Sequence, residues 1–408
     1  MKSLLLLLLL PLLLPATTAK TTTTTTTTPA PQNCPANERN AAITEETIKN
    51  GVTELGMQLL RELGTERNTL ISPFSLWSAV AMVLVGAEGQ TANQIADVLQ
   101  VGGKQGVLPV WRGLSDRLQR EGGQHSDVSL KVGNRIYVNN GYQIKNCMEA
   151  LADILVHTSL DQPIDASRVI NSYINTTTNG KIPEIITPGH LTDTKMVVVN
   201  AVYFKGSWEH QFVKNETALK PFYPTPGSPG VDVPMMRVLD VNLMLGTSDI
   251  LQAQIIQLPY KDNLFKMTIL LPTERGEAGF NATLNALNAN TFWAALDTLT
   301  LDIIDLEMPK FEIKAKFADD LKAAMQTLGM TDAFTNAADL SSFGPELYIK
   351  HLLHRTFLSV DEEGSEAAAA TGAVISTKIS GFVNIDRPFL FAIHSTDILF
   401  FLGAFMNP

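Results

Sequence analysis

Cysteine is scarce in this chain, which has only two cysteines among 408 residues, Cys34 and Cys147. The fold therefore cannot rest on a disulfide framework, and its stability must come from a hydrophobic core. Apolar residues make up 45% of the sequence, which is enough for such a core. In an oxidising compartment Cys34 and Cys147 would form one bridge, whereas a buried, unpaired Cys147 would act as a small hydrophobic residue. The sequence leaves both alternatives open.

Long hydrophobic runs are absent except at the amino end. There, Lys2 precedes a leucine run from Leu4 to Leu10, and the apolar stretch ends in small residues at Ala19. Prolines and threonines interrupt the stretch before it reaches the roughly 18 apolar residues that a membrane span needs. The pattern is typical of a secretory signal peptide over residues 1–19. We therefore expect a secreted, extracellular protein without a membrane partner.

A tail of low complexity follows the predicted signal peptide. Consecutive threonines, Thr21–Thr28, and nearby prolines give residues 20–40 the composition of a disordered or O-glycosylated stalk. Beyond the tail we find no internal repeat and no proline- or glycine-rich linker, so residues 41–408 are predicted to form a single domain. Three Asn-X-Thr triplets in this domain are candidate glycosylation sites: Asn175, Asn215 and Asn281.

An excess of positive charge and known catalytic motifs are also lacking. The formal net charge of −10 and the pI near 5.2 argue against a nucleic-acid partner. The sequence contains no hydrolase nucleophile elbow, phosphate-binding loop or dinucleotide-binding glycine motif, and no cluster with metal-ligand spacing. We therefore expect neither an enzyme nor a protein that needs a metal or a cofactor.

Four residues come nearest to a hydrolase set, because they would supply a serine and a base: Ser72, Ser75, Asn200 and His354. However, Ser72 directly precedes a buried helix, and Asn200 interrupts an apolar strand. Buried polar side chains of this kind usually satisfy one another by hydrogen bonds. A structural polar cluster is therefore the better interpretation.

Hydrophobic periodicity predicts a mixture of helices and strands. Apolar residues at helical spacing from Ile48 to Leu63 indicate an amphipathic helix that ends at Gly64, and Ser72-Pro73 begins a second, mostly apolar helix. Strands are predicted at residues 128–138, 196–204, 255–258, 265–271 and 306–313, and further helices at residues 146–155, 282–299 and 317–328. Because helices and strands alternate irregularly, we predict an α+β fold rather than a doubly wound one.

The segment between Glu362 and Asp386 has no clear amphipathic pattern, and an exposed stretch this long is usually functional or disordered. If residues 365–378 are extended, both charges of this stretch, Glu366 and Lys378, fall on one face. The opposite face is free of charge and carries Ser365, Ala367, Ala369, Thr371, Ala373, Ile375 and Thr377. The alanines favour a helix over a strand, so the segment need not be a strand in every state. It is a loop that is able to become a strand.

At this point the sequence resembles the inhibitory serpins. Residues 362–371 look like the hinge of that family: Glu362, Glu363, Gly364, Ser365, Glu366, Ala367, Ala368, Ala369, Ala370 and Thr371. Residues 383–393 (VNIDRPFLFAI) fit the family's carboxy-terminal signature. Shorter matches follow in serpin order: SPFS at 72–75, VNAVYFKGSW at 199–208, VPMM at 233–236, Gly403 and Asn407-Pro408. The resemblance covers residues 41–408.

The resemblance implies a serpin fold with three β-sheets and eight or nine helices, and an exposed reactive-centre loop at about residues 362–386. It also implies that a target protease attacks the loop and becomes acylated to it. The freed hinge then inserts into the main sheet as an extra strand and traps the protease. Ser72, Ser75, Asn200 and His354 match the family's polar cluster beneath that sheet, which would gate the insertion.

The resemblance also implies a position for the bait bond. With Glu362 as the first hinge position, serpin spacing puts Lys378 at the seventeenth position, so the resemblance implies Lys378-Ile379 as the attacked bond. Counting backwards from Asp386 allows Thr377 instead. A lysine suits the carboxylate in the primary pocket of trypsin-like serine proteases. The expected partner is such a protease, held by a monomer in a covalent acyl complex.

A non-inhibitory serpin that acts as a carrier or a chaperone-like binding protein is the alternative interpretation. Such serpins usually carry bulky, charged or proline substitutions in the hinge, and residues 365–371 have no such substitution beyond the family's own glutamate. A strong glycosaminoglycan cofactor is not expected, because Arg112, Arg117 and Arg120 are thinly spread beside acidic residues.

Overall fold

The computed structural model describes residues 43–123, 128–145, 148, 151–261, 263–364 and 381–408. Over these residues the helices are α1 (Glu45–Leu63), α2 (Pro73–Gly86), α3 (Gly89–Val98), α4 (Val107–Gly123), α5 (Pro163–Thr177), α6 (Pro188–Leu191), α7 (Glu277–Ala286), α8 (Ala289–Leu296) and α9 (Asp319–Thr327). The strands are β1 (Thr69–Ile71), β2 (Val128–Asn139), β3 (Leu155–Thr158), β4 (Met196–Gly206), β5 (Ala218–Phe222), β6 (Val231–Ser248), β7 (Ala253–Pro259), β8 (Lys266–Pro272), β9 (Thr300–Pro309), β10 (Phe311–Phe317), β11 (His351–Val360), β12 (Gly381–Asn384), β13 (Phe389–His394) and β14 (Leu399–Phe405).

The predicted signal peptide, the predicted tail and both cysteines lie outside the described residues. Across the part of the chain that the structure describes, no helix has the length and apolar character needed to cross a bilayer.

The amphipathic helix predicted from Ile48 onwards is confirmed as α1. The Thr44 side chain caps its first turn by accepting a hydrogen bond of 3.1 Å from the Thr47 backbone N–H. The predicted apolar positions face the core: Ile48, Val52, Leu55 and Leu59. The helix ends at Leu63, and Gly64 directly after it has φ of +77°, a conformation that glycine adopts at little cost.

The strands form two hydrogen-bonded sheets over the described residues. The five-stranded sheet has the order β10-β11-β4-β2-β3, and the other has the order β1-β14-β13-β8-β7-β6-β9-β12, with β5 paired to β6. β6 pairs with β5 near its start and with β7 near its end, and its register against β9 shifts between Val238 and Val241. This long strand joins two of the three sheets that the resemblance implies into one hydrogen-bonded array.

β4 is the central strand predicted from its continuous apolar run. Its even-numbered apolar residues pack in the large core, whereas Val197, Val199, Ala201 and Tyr203 pack in a second cluster with α5. Because both faces of β4 are covered, its one interior amide, Asn200, is buried. A polar side chain at this depth must find its partners within the protein.

Three predicted elements differ from the structure. The predicted strand at 306–313 is two strands, because the chain breaks at Lys310, whose N–H donates to the Pro234 carbonyl. The predicted helix at 282–299 is also divided, because Asn288 starts α8 by accepting a hydrogen bond from the Thr291 N–H. In the segment predicted as a helix at 146–155, residues 152–154 form a turn and Leu155 belongs to β3.

Candidate functional site

Three polar residues lie side by side across the five-stranded sheet, and we call them the polar row: Asn134, Asn200 and His354. β2 places Asn134 opposite Asn200 in an antiparallel ladder, and β11 places His354 opposite Asn200 in a parallel ladder. Asn200 and His354 have no exposed surface, and Ser72 and Ser75 are buried next to them. The structure therefore brings together the four residues that the sequence singled out.

Hydrogen bonds fix the protonation of His354. Its Nε2 accepts a bond of 3.0 Å from the backbone N–H of Ser72, so the proton of the neutral ring is on Nδ1. Nδ1 then donates to Oδ1 of Asn200. Burial lowers the pKa of His354 to about 3, so the ring is neutral at ordinary pH.

Most of the remaining hydrogen bonds of the polar row involve Ser75. The Asn200 amide donates to Ser75 Oγ at 2.5 Å and to Asn134 Oδ1. Ser75 Oγ donates to Asn134 Oδ1 at 3.0 Å, and the Asn134 amide donates to the Ser75 carbonyl at 3.2 Å. Every side-chain polar atom of the row thus has a partner, which removes the penalty for burying it.

This geometry does not support a hydrolase. Among the described residues, His354 bonds to no serine hydroxyl, because its Nε2 is occupied by the Ser72 backbone and its Nδ1 by Asn200. The Ser72 side chain does not cap α2 as its position before Pro73 suggested, and the residue contributes its backbone N–H instead. A serine that no base contacts cannot act as an activated nucleophile.

Sequence reasoning missed Asn134. The residue lies in β2 within the pattern Val132-Gly133-Asn134, and nothing in that local pattern shows which residue of β4 it faces. The usable signal was an amide on a core-facing position of a predicted strand, which requires a buried partner.

The pairing of β4 with β11 ends a few residues beyond the polar row. Their ladder runs from the Val197–His351 pair to the Tyr203–Phe357 pair, and both strands continue for three residues beyond it. We call the paired stretch, residues 197–203 against 351–357, the β4–β11 seam. A strand that entered the seam from the open end would lie between two parallel neighbours.

The first residues of the predicted hinge, Glu362–Gly364, form a tight turn with Asp361 at this open end. Asp361 and Gly364 exchange backbone hydrogen bonds of 3.0 and 3.2 Å, and Gly364 also forms an antiparallel bridge with Ser207, directly after β4. Gly364 has φ of +114°, and a Cβ at this position would lie 2.1 Å from the Gly206 carbonyl oxygen. Only glycine fits here, because any side chain would clash with the backbone of β4.

Glu362 is the anchor of the turn. Its carboxylate accepts a hydrogen bond of 2.8 Å from the Thr217 hydroxyl and pairs with the Lys310 ammonium at 2.7 Å. Burial raises the pKa of Glu362, but the hydrogen bonds from Lys310, the backbone and Thr217 outweigh burial and hold it below its ordinary value. Glu363 pairs with Lys214 nearby. The acidic pair of the predicted hinge is thus held by two lysines.

Trp208 holds the same turn by its backbone and its ring. Its backbone N–H donates to the Glu363 carbonyl at 3.0 Å, and its indole N–H donates to the Asp361 carbonyl at 2.9 Å. The indole stacks on Tyr260 with ring centroids 4.4 Å apart. Trp208 therefore packs in the core and also fixes the start of the loop.

Comparison with known proteins agrees with this geometry. The family model described as "Serpin (serine protease inhibitor)" matches residues 50–408. The chain belongs to the serpin family. It is 34% identical over 364 residues to serine protease inhibitor 42Dd of Drosophila melanogaster, covering 86% of this chain and 94% of that protein. It is 32% identical over 374 residues to Serpin B3 of Homo sapiens, covering 84% and 94%.

Solved structures give the same fold. The Manduca sexta serine protease inhibitor (Serpin)-12 superposes with a TM-score of 0.77 at 26% identity, and the match covers 90% of this chain and 99% of that one. Serpins are generally inhibitors of proteases rather than catalysts, and they bind target serine proteases. The predicted serpin fold is confirmed.

The far end of the serpin loop is also anchored. β12 pairs parallel with β9, and Asp386 just after it accepts two hydrogen bonds from Arg275 at 2.9 and 3.0 Å. The predicted hinge residues from Ser365 to Thr371 and the predicted bond Lys378-Ile379 lie outside the described residues. The three candidate glycosylation sites are exposed: Asn175, Asn215 and Asn281.

The buried imidazole of His354 predicts acid sensitivity. Between pH about 6.5 and about 3 the unfolded chain binds a proton at this residue that the native protein does not, so stability falls as the pH falls through this window. At pH 5 the loss from this one group is about 2 kcal/mol relative to pH 8. His354→Gln removes this part of the loss, so the urea midpoint of the variant changes less between pH 8 and pH 5.

The exposed histidine His157 provides the control, because His157→Gln should leave the difference between the two pH values as in the natural protein. Comparing each variant with itself at two pH values also removes any general loss of stability. Equal pH responses of His354→Gln and the natural protein would contradict the assignment of a neutral buried ring.

Proposed function

We propose that this serpin is a suicide-substrate inhibitor of extracellular trypsin-like serine proteases, and that the attacked bond is Lys378-Ile379. The observation that carries the proposal is the position of Gly364, which forms antiparallel bridges with Asp361 on one side and Ser207 on the other. A strand that continued from Gly364 into the β4–β11 seam would extend both bridges without a change of register.

The two bridges predict where each hinge residue would lie after insertion. In a regular antiparallel pair the numbers of opposite residues have a constant sum. Extending the Ser207–Gly364 bridge places Thr371 opposite Asn200, and extending the Asp361–Gly364 bridge places Thr371 opposite His354. Both extrapolations agree, because Asn200 and His354 already lie opposite each other.

Thr371 would thus enter the polar row. Its hydroxyl has one proton to donate and two lone pairs to accept with, so it would replace the direct Asn200–His354 bond by bonds to both residues. A strand inserted without a polar side chain at this position would leave buried polar atoms unsatisfied, at roughly 1–3 kcal/mol each.

The same register buries the face of the hinge that has no charge. Residues of one row point to the same side of a sheet, so Ser365, Ala367 and Ala369 would face the core together with Thr371. Glu366 falls on the opposite side, in the row of Lys205 and Ser359, which are only partly buried. Insertion therefore buries no charge in the core and forces only small side chains into it.

The chemistry follows from these positions. The protease serine Oγ attacks the Lys378 carbonyl carbon, the Ile379 amine leaves with a proton, and an ester links the protease to Lys378. Residues 365–377 are then free to insert, and thirteen extended residues span about 43 Å at ~3.3 Å per residue. The protease is carried to the far end of the sheet before water has cleaved the ester.

Insertion is also favoured by the ladder itself. The β4–β11 seam is a parallel pairing, and a strand between the two would be antiparallel to both. Antiparallel pairing is slightly more stable per residue, and one ladder is replaced by two. The free energy stored in the uncleaved serpin is the difference between these two arrangements.

The target class and the compartment rest on the sequence. Lys378 suits a primary pocket that contains a carboxylate, because pairing offsets the penalty for burying an ammonium group. The predicted signal peptide over residues 1–19 and the exposed triplets at Asn175, Asn215 and Asn281 support a secreted glycoprotein. We propose that the serpin acts as an extracellular monomer.

Incubation with trypsin should give a covalent complex that survives denaturing electrophoresis, together with a released carboxy-terminal peptide that starts at Ile379. Mass spectrometry of that peptide identifies the bond, and Lys378→Ala should form no complex with trypsin. A peptide with another first residue would show that the protease attacks a different bond. Cleavage without complex by trypsin-, elastase- and chymotrypsin-like proteases would favour the non-inhibitory alternative.

Ala369→Arg should convert the inhibitor into a substrate. In the extrapolated register Ala369 falls in the row of Val202 and Thr356, which are 0% and 2% exposed, so an arginine there would be buried without a partner. We expect mostly cleaved serpin and little complex on gels. Ala369→Ser keeps a small side chain and should retain complex formation; full complex formation by Ala369→Arg would refute the register.

Thr371→Val should weaken the cleaved, inserted form and leave the uncleaved serpin unchanged, because the polar row already closes without Thr371 before insertion. We expect a lower guanidinium midpoint of the cleaved form, corresponding to about 1–3 kcal/mol for the missing bonds. Thr371→Ser keeps the hydroxyl and should behave like the natural protein. An unchanged midpoint of cleaved Thr371→Val would place another residue in the polar row.

A further inference from the structure

A groove of about 560 Å³ lies on the outer face of the five-stranded sheet, opposite to the polar row. β10 and β11 form one wall, and the chain that follows α5 forms the other. Four cations line the groove: Lys181, Lys314, Lys316 and Arg355. The inhibitory mechanism proposed above uses none of them.

The register of β10 and β11 brings two of these cations together. Lys316 lies directly opposite Arg355 in the antiparallel ladder, and Lys314 lies opposite Phe357. Like charges in directly opposite positions destabilise a sheet, because their side chains share one face at short range. A neutral residue at either of these two positions would remove this repulsion.

Among the described residues that line the groove, the one carboxylate is that of Glu312, which pairs with Lys314 at 2.7 Å. In the part of the chain that the structure describes, the buried Nε of Arg355 has no hydrogen-bond partner. Burial lowers the pKa of Arg355, and the charge of Glu184 raises it by less. Within the described residues Lys316 forms no ion pair, so Lys316 and Arg355 are positive charges that lack a direct counter-ion.

The floor of the groove is apolar. Phe357 is 6% exposed, and the ammonium groups of Lys181 and Lys314 lie 5.6 and 5.4 Å from the centre of its ring. Both ammonium groups thus lie over the floor. Lys314 extends from β10 and Lys181 from the opposite wall. Together with Lys316 and Arg355 they place positive charge on both walls of one concave space.

We propose that this groove binds a small anion that carries more than one phosphate or sulfate group. The guanidinium of Arg355 would bind one group through its planar donors, with Lys316 beside it, and Lys181 and Lys314 would bind a second group. Anion binding would remove the repulsion between Lys316 and Arg355. The proposal concerns binding alone and holds whether or not the serpin inhibits a protease.

Isothermal titration of the purified full-length protein with inositol hexakisphosphate and with sucrose octasulfate, at about 0.15 M salt to screen weak surface attraction, tests this site. We expect one saturable site for at least one of the two probes, and the tighter probe identifies the phosphate or the sulfate source. Lys316→Gln and Lys314→Gln should each weaken its binding about tenfold.

Lys195→Gln is the matched control, because Lys195 is an exposed lysine outside the groove and the charge change is the same. It should alter the dissociation constant less than twofold. The melting temperature of Lys316→Gln without a probe should equal or exceed that of the natural protein, since a repulsion is removed; this shows that lost binding is not lost folding. Absence of saturable binding to both probes, or equal weakening by Lys195→Gln, would overturn the proposal.

Discussion

The parallel contact between β4 and β11 is the constraint on which the other features of the site depend. No tight turn can join two parallel neighbours, and here a long crossover over residues 207–350 connects β4 to β11. Across the seam the backbone ladder is reinforced by Asn200 and His354, whose side chains are buried and hydrogen-bonded to each other. The seam is therefore held by side chains as well as by the backbone.

Hydrogen bonds hold the turn at residues 361–364 in place at the open end of that seam. Glu362 is fixed by Thr217 and Lys310, and the carbonyls of Asp361 and Glu363 are fixed by Trp208. These bonds keep Gly364 in contact with the backbone just after β4. In the proposed mechanism insertion therefore starts from Gly364, which already lies at the open end of the seam.

Local pattern was enough to predict α1, α2 and the central strand β4. These features depend on periodicity or on a glycine or proline at a boundary, and each can be read within one stretch of chain. The division of residues 306–313 into two strands was not predictable in this way, because it depends on a contact between Lys310 and Pro234.

The same limit applies to the sites. Ser72, Ser75, Asn200 and His354 were found because a serpin motif or an oddly polar position marked them, whereas Asn134 was missed because its importance comes from its register with Asn200. The clamp on Glu362 and the opposition of Lys316 to Arg355 also depend on pairing between distant strands. Register is set by the packing of the whole sheet, and a single sequence does not display it.

The polar row also explains why insertion would be all-or-none. With the seam closed, Asn200 and His354 satisfy each other, and with the hinge fully inserted Thr371 would satisfy both. A partly opened seam would separate Asn200 from His354 before Thr371 arrived and would leave buried polar atoms without partners. Two satisfied arrangements separated by an unsatisfied one make a bistable element. In this account the row provides the barrier that keeps the uncleaved serpin in its metastable state, and the hydroxyl of Thr371 completes the row once that barrier is crossed.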